Sequence, residues 1–187
     1  CERCGVLCGS SALRNERFGH LVLPGGVVHP VLAPIIGEVL GITADEVQAV
    51  ARCEAWLTDA GVVRVETPLE DYVADRDAMG AQALADRLAS APPVRHPPEL
   101  VASGFSCADL WVELVPVIPP GDRPLIETGD PTVLAPQPGP VNEAYRALTS
   151  RALRLARLRE LAATEIILRN EARLMQRAFD TLYATVI

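Results

Sequence analysis

Residues Val141–Ile187, VNEAYRALTSRALRLARLRELAATEIILRNEARLMQRAFDTLYATVI, decide the architecture of this 187-residue chain. Apolar side chains at Tyr145, Leu148, Ala152 and Leu155 recur at three- and four-residue spacing, which predicts a helix over Asn142–Leu161. Leu168, Met175, Phe179, Leu182 and Val186 step along one side of a second helix, predicted over Glu165–Ala184. Asn142 and Thr164 carry the side chains of helix N-caps. Ala162-Ala163-Thr164 leaves room only for a tight reversal. The two helices are therefore expected to lie antiparallel, each about 30 Å long.

The charges on this hairpin are harder to explain as packing. Arg151, Arg154 and Arg157 step down the first helix, and Arg169, Arg173 and Arg177 down the second. Like charges at this spacing oppose each other by about 0.2–0.5 kcal/mol in an isolated helix, and few acids compensate, among them Glu165 and Glu171. The pattern alone leaves two readings open: a solvated charged face, or an arginine-rich docking surface.

Outward from the hairpin, the chain reads as one mixed body. A short strand is expected at His20-Leu21-Val22-Leu23, ended by a turn at Pro24-Gly25-Gly26. Pro34–Gly61 reads as mainly helical, with a capping box at Thr43 and Glu46 and a helix continuing through Val47 and Val50 to Trp56 and Leu57. Val62–Val65 and Leu110–Val117 are strand candidates, and Ala78–Ala89 is helical by composition. The proline runs at 92–98 and 116–140 exclude regular helix. The expected fold class is α+β, mainly helical: a compact mixed body over residues 1–140 and a protruding antiparallel two-helix coiled coil over 141–187.

Composition narrows function further. All seventeen basic residues are arginine, and the net charge is −7. Val141–Ile187 carries eight arginines against five acids, the rest nine against nineteen. A basic hairpin on an acidic body argues against general nucleic-acid coating and leaves the hairpin as the place for an acidic partner. No apolar run is long enough for a membrane span. A chain beginning at Cys1 rather than Met is expected to be a piece of a longer protein.

Candidate chemistry is sparse. Cys1-x-x-Cys4 has the spacing of half a structural zinc site, and such a site needs four ligands. Cys8 and His20 could supply more, whereas Cys53 and Cys107 are expected to be buried core thiols. A structural hydrogen bond is expected for His20, and loop positions for His29 and His96. The acids Glu70, Asp71, Asp75 and Asp77 read as solvated turn residues. No Ser/His/Asp grouping, phosphate-cradling glycine loop or HExxH helix is present.

Four motifs in order bear on family. Cys1-Glu2-Arg3-Cys4-Gly5-Val6 with Arg14-Asn15-Glu16-Arg17-Phe18-Gly19-His20 comes first, then Met79-Gly80-Ala81-Gln82-Ala83-Leu84. Leu114-Val115-Pro116-Val117-Ile118-Pro119-Pro120 with Arg123-Pro124-Leu125 follows. Last come Asn142-Glu143-Ala144-Tyr145-Arg146 and Arg169-Asn170-Glu171-Ala172-Arg173-Leu174-Met175-Gln176. In this order they resemble the bacterial RNA polymerase β′ subunit, from the end of its zinc-binding element through its clamp helices. The match is poor between Leu21 and Trp56, Thr164 replaces a proline at the hairpin turn, and Ser150 replaces an asparagine, which leaves a divergent paralogue open.

The resemblance implies a clamp body at 1–140, with 1–24 a remnant of the zinc element and 110–140 a strand and proline-rich connection. It implies a role in transcription, in the bacterial cytoplasm at the nucleoid. Sigma factor would dock on the hairpin through Arg151, Arg154, Arg157, Glu171, Arg173, Gln176 and Ala178. Other polymerase subunits and a NusG-type elongation factor are the further partners implied, with DNA and RNA met only in the whole polymerase. Zinc on Cys1 and Cys4 requires an upstream cysteine pair that is not in this sequence. Magnesium belongs to a downstream aspartate loop also absent here, so the nucleotidyl-transfer activity of the polymerase is not carried by these residues. The alternative is a free-standing β′-like protein that sequesters sigma or an elongation factor.

Overall fold

In the computed structural model the predicted hairpin is formed by α5 (Pro140–Glu160) and α6 (Glu165–Val186), packed antiparallel. The structure describes residues 9–64, 79–91, 110–123, 125–127 and 136–186. Cys1, Cys4, Cys8, Cys107, His96, the 92–98 proline run and the acids Glu70, Asp71, Asp75 and Asp77 lie outside them.

The first helix begins two residues before the predicted N-cap. Gly139 is the N-cap and Pro140 takes the first helical position, where its fixed φ fits and its missing N–H is not needed. Asn142 sits in the first turn instead. Its amide donates to the Arg123 carbonyl at 2.8 Å and its Oδ1 accepts from the Arg123 guanidinium, so it ties the proline-rich connection to the helix. Thr164 immediately precedes α6, and its carbonyl accepts from Leu168 N at 3.1 Å. Between the helices, Ala163 N donates to Leu158 O and Ala162 N to Arg159 O, both at 3.0 Å. This is a Schellman closure with Ala162, at φ 50°, in the left-handed position usually held by glycine.

The hairpin's apolar stripe is covered by a two-stranded antiparallel ribbon, β1 (Gly19–Val28) with β4 (Trp111–Val117). Leu23, Val27 and Val115 of the ribbon share one core with Ala144, Tyr145, Leu148, Ala152 and Leu155 of α5 and Met175, Phe179 and Leu182 of α6. Each fully buried large side chain there contributes about 1.5–3 kcal/mol. Val186 is the exception to the predicted stripe: it is 46% exposed at the last position of α6. The Tyr145 hydroxyl donates to Pro116 O at 3.0 Å, pinning the base of α5 to β4.

β1 does not stop at Pro24. Val22 pairs with Leu114 and Val27 with Val112, so Leu23 to Gly26 bulge opposite the single residue Glu113. Gly25 and Gly26 make the bulge possible, with φ of 75° and 65°. They also leave room for close neighbours, since a Cβ at Gly25 would strike the Arg159 guanidinium and one at Gly26 the Trp111 indole. The hairpin's contacts with the body therefore extend from its base at Tyr145 to Arg159 near its turn.

The remaining elements form a second core from α2 (Ala33–Leu40), α3 (Ala44–Ala51), α4 (Ala81–Ala89) and the β2–β3 hairpin (Ala55–Thr58, Gly61–Arg64). Ile36, Val39, Val47, Val50, Leu84 and Leu110 fill it. The capping box forms as predicted: Glu46 N donates to Thr43 Oγ1 at 3.2 Å and Thr43 N to Glu46 Oε2 at 2.7 Å. The helix does not reach Leu57. It ends at Ala51 because Cys53 turns left-handed, at φ 55°, and closes a second Schellman motif through Cys53 N to Val50 O and Glu54 N to Ala49 O. Trp56 and Leu57 then enter β2, where they pair with Val63 and Val62. A short α1 (Ser11–Asn15), 3-10 turns at Pro30–Leu32 and Pro120–Asp122, and a two-residue pairing of β5 (Leu125–Ile126) with β6 (Gln137–Pro138) complete the described elements.

A non-glycine residue held left-handed costs about 1–2 kcal/mol. Ala162→Gly is therefore expected to raise the urea midpoint of unfolding, with stabilisation of up to about 1 kcal/mol. A lowered midpoint would show that Ala162 does not occupy the left-handed turn.

Candidate docking surface on the helical hairpin

The seven residues singled out on the hairpin fall into two groups. Arg151, Arg154 and Glu171 form one cluster, in which the carboxylate accepts from Arg151 Nη1 at 3.0 Å and from Arg154 Nε at 3.2 Å. The Glu171 side chain is only 3% exposed, whereas that of Arg154 is 66% exposed. Buried Glu171 thus carries two cations and holds them at the seam between the helices with a net positive charge. Arg157 continues the row one turn on, 67% exposed and paired with Glu160 at 2.8 Å. Leu153 is exposed beside them, and Ala178 is half-buried on α6.

Gln176 and Arg173 belong to the side of α6 that meets the body. Gln176 is buried, and its amide behaves as a strand partner: Oε1 accepts from Val28 N and Nε2 donates to Val28 O, both at 2.9 Å. Nε2 also donates to Asp180 at 2.9 Å. Arg173 donates to Asn170 Oδ1 at 2.8 Å and lies near enough to Cys53 to favour its thiolate. Arg177 reaches Glu54 at 2.7 Å, and Arg169 pairs with Glu165 at 3.0 Å. Both predicted rows are engaged within the chain, and they differ in exposure: the Arg154 and Arg157 side chains are 66% and 67% exposed, that of Arg169 24%.

Sequence reasoning missed the residues that seat the hairpin: Arg52 with Asp180 at 2.7 Å, Glu54 with Arg177, and Val28 with Gln176. These partners are more than a hundred residues apart in the chain, so no local spacing could announce them. His29 belongs with them. Its ring meets Phe179 and Tyr183 edge-on, with centroids 5.6 and 4.6 Å away, and its Nδ1 accepts from Val31 N at 3.2 Å. Burial holds its pKa below the usual 6.5, with Asp180 partly opposing the shift. His20 is exposed on β1, and among the described residues it makes no side-chain hydrogen bond. Cys53 is buried as expected, and desolvation pushes its thiol up to about 11.

Among the described residues no three His, Cys, Asp or Glu side chains converge as a metal site would require. No helix among them is long and apolar enough to cross a membrane. A mixed α+β segment with an arginine-edged helical hairpin is the class of module that fold and surface define.

No protein-family model matches the chain. Known relatives do. It is 31% identical to DNA-directed RNA polymerase subunit beta′ of Bordetella petrii and of Bordetella pertussis, and 29% identical to that of Neisseria gonorrhoeae. In each case 97% of this chain is aligned, and the chain spans 16% of the relative's length. The chain is homologous to one segment of the β′ subunit of DNA-directed RNA polymerase. The alignments run to 225 residues, more than the 187 available, so the relatives carry residues in this stretch that the chain lacks.

Two outcomes follow from the geometry. Gln176→Ala removes the partner of two Val28 backbone groups and is expected to cost about 2–3 kcal/mol by urea unfolding. A cost near zero would mean that Gln176 does not seat α6 on β1. For His29 the folded state resists a proton that the unfolded chain accepts near pH 6.5, so stability falls as pH drops below that value. The difference in urea midpoint between pH 7.5 and 5.5 should be larger for the native chain than for His29→Phe.

Proposed function

We propose that this chain acts in transcription as a β′ clamp segment, working with the other subunits of an RNA polymerase in the bacterial cytoplasm at the nucleoid. The alignment of nearly the whole chain to one β′ segment carries the reading. In this role the hairpin docks the second conserved region of a sigma factor. Arg154 and Arg157, both exposed, meet acidic groups of the partner, Arg151 flanks them, and Ala178 provides close approach. Glu171 and Gln176 act from within, Glu171 by holding Arg151 and Arg154 in place and Gln176 by seating α6 on the ribbon. Arg173 contributes from the body-facing side. A NusG-type elongation factor competes for the overlapping surface, and nucleic acid is met in the whole polymerase.

Cys1 and Cys4 join a zinc site only where the missing cysteine pair is supplied, and magnesium chemistry lies outside this segment. The residues that relatives carry and this chain lacks favour a second reading, a free-standing β′-like protein that captures sigma or an elongation factor. A reading frame that continues into the magnesium-binding aspartate loop supports the subunit, and one that stops near Ile187 supports the captor.

Calorimetric titration of the chain with a sigma second-region fragment tests the docking. Arg154→Glu and Arg157→Glu are each expected to weaken binding by about 2 kcal/mol, roughly thirtyfold, with affinity falling as salt rises. No binding by the folded native chain would leave homology without docking.

A further inference from the structure

Arg52 and Glu54 flank Cys53, and both reach the same helix. Arg52 pairs with Asp180 and Glu54 with Arg177, each at 2.7 Å. Asp180 and Arg177 lie three residues apart, one turn along α6, so the two bridges are adjacent and of opposite polarity. The left-handed φ of Cys53 is what makes this possible. A helical residue there would continue α3 and send positions 52 and 54 around its axis, whereas the Schellman turn presents both toward α6.

The Asp180 side chain is 15% and the Arg52 side chain 32% exposed, so this bridge is screened less than the Arg177–Glu54 pair, whose side chains are 50% and 33% exposed. Gln176 braces Asp180 from the other side. The polarity also selects a register. Sliding α6 by one turn would bring Arg52 toward Arg177, like against like.

We propose that the turn Arg52-Cys53-Glu54 is a two-pronged electrostatic latch, which fixes the hairpin on the body in one register and closes over the Cys53 thiol. The thiol lies in a cleft of about 320 Å³ that it shares with Gly25, Gly26, Met79, Arg169 and Ala172, so α6 forms one wall over it. Trp56, Met79 and Gly80 cover it from the body side. Opening the latch lets α6 shift away from the Arg52–Glu54 turn and uncovers the thiol on that side. With the latch closed, Arg177 of the α6 row is held to the body, while Arg154 and Arg157 of the α5 row stay exposed. That consequence bears on the docking reading, but the latch does not depend on it.

The thiol reports on the latch directly. In the full chain carrying Cys1, Cys4, Cys8 and Cys107 as serine, the rate of Cys53 modification by a maleimide is followed under native conditions. Arg52→Asp and Arg177→Glu, singly, are expected to speed modification about fivefold, as loss of one bridge raises the open population. The swap Arg52→Asp with Asp180→Arg restores an opposite-charge pair and should return the rate toward the parent's. Arg52→Asp with Arg177→Glu also carries two charge reversals, yet sets acid against acid and should stay fast. Circular dichroism and urea midpoints identify variants that have unfolded globally. Equal rates in all folded variants, or acceleration that the swap does not reverse, would overturn the latch.

Discussion

Everything else in this molecule depends on the apolar stripe of the hairpin being covered by the β1–β4 ribbon. Two helices of 21 and 22 residues bury only part of each other, and most of their stability comes from packing their apolar faces. Leu23, Val27 and Val115 complete the layer over Leu148, Leu155, Met175 and Phe179. Because the ribbon has only two strands, it is equally dependent on the helices. Hairpin and ribbon therefore stand or fall as one unit, and the bulge at Gly25 and Gly26 lets Arg159 and Trp111 approach closely.

Polar contacts then turn a sticky interface into a specific one. Gln176 pairs with both backbone groups of Val28, as a neighbouring strand would, and this satisfies groups that burial would otherwise leave costly. The charges of Arg52, Glu54, Arg177 and Asp180 add direction. The arginine rows that look alike in sequence consequently do different work. On α6, Arg177 reaches across to Glu54 of the body, whereas on α5 Arg151 and Arg154 share Glu171, which leaves Arg154 open to solvent.

Homology with β′ accounts for the order of the motifs, and the structure accounts for why several of those residues cannot vary freely. Arg123 and Asn142 join the proline-rich connection to α5, and Tyr145 ties α5 to Pro116. Gly80 accommodates the Cys53 thiol against α4. Each lies in a motif that resembles the family, and each serves packing rather than chemistry.

The sequence by itself determined both long helices, their antiparallel course, the capping box at Thr43 and the β4 strand, because apolar periodicity and capping chemistry act within a few residues. It misjudged the end of α3 and the extent of β1. Nothing local to Cys53 announces a left-handed residue, and Gly25-Gly26 signals a turn whether or not a partner strand resumes beyond it. Only the tertiary structure decided which face of α6 meets the body, and hence which arginines remain outside. Those choices rest on pairs such as Val28 with Gln176 and Arg52 with Asp180. Their energies exist only once distant segments have been brought together, so no stretch of the chain encodes them alone.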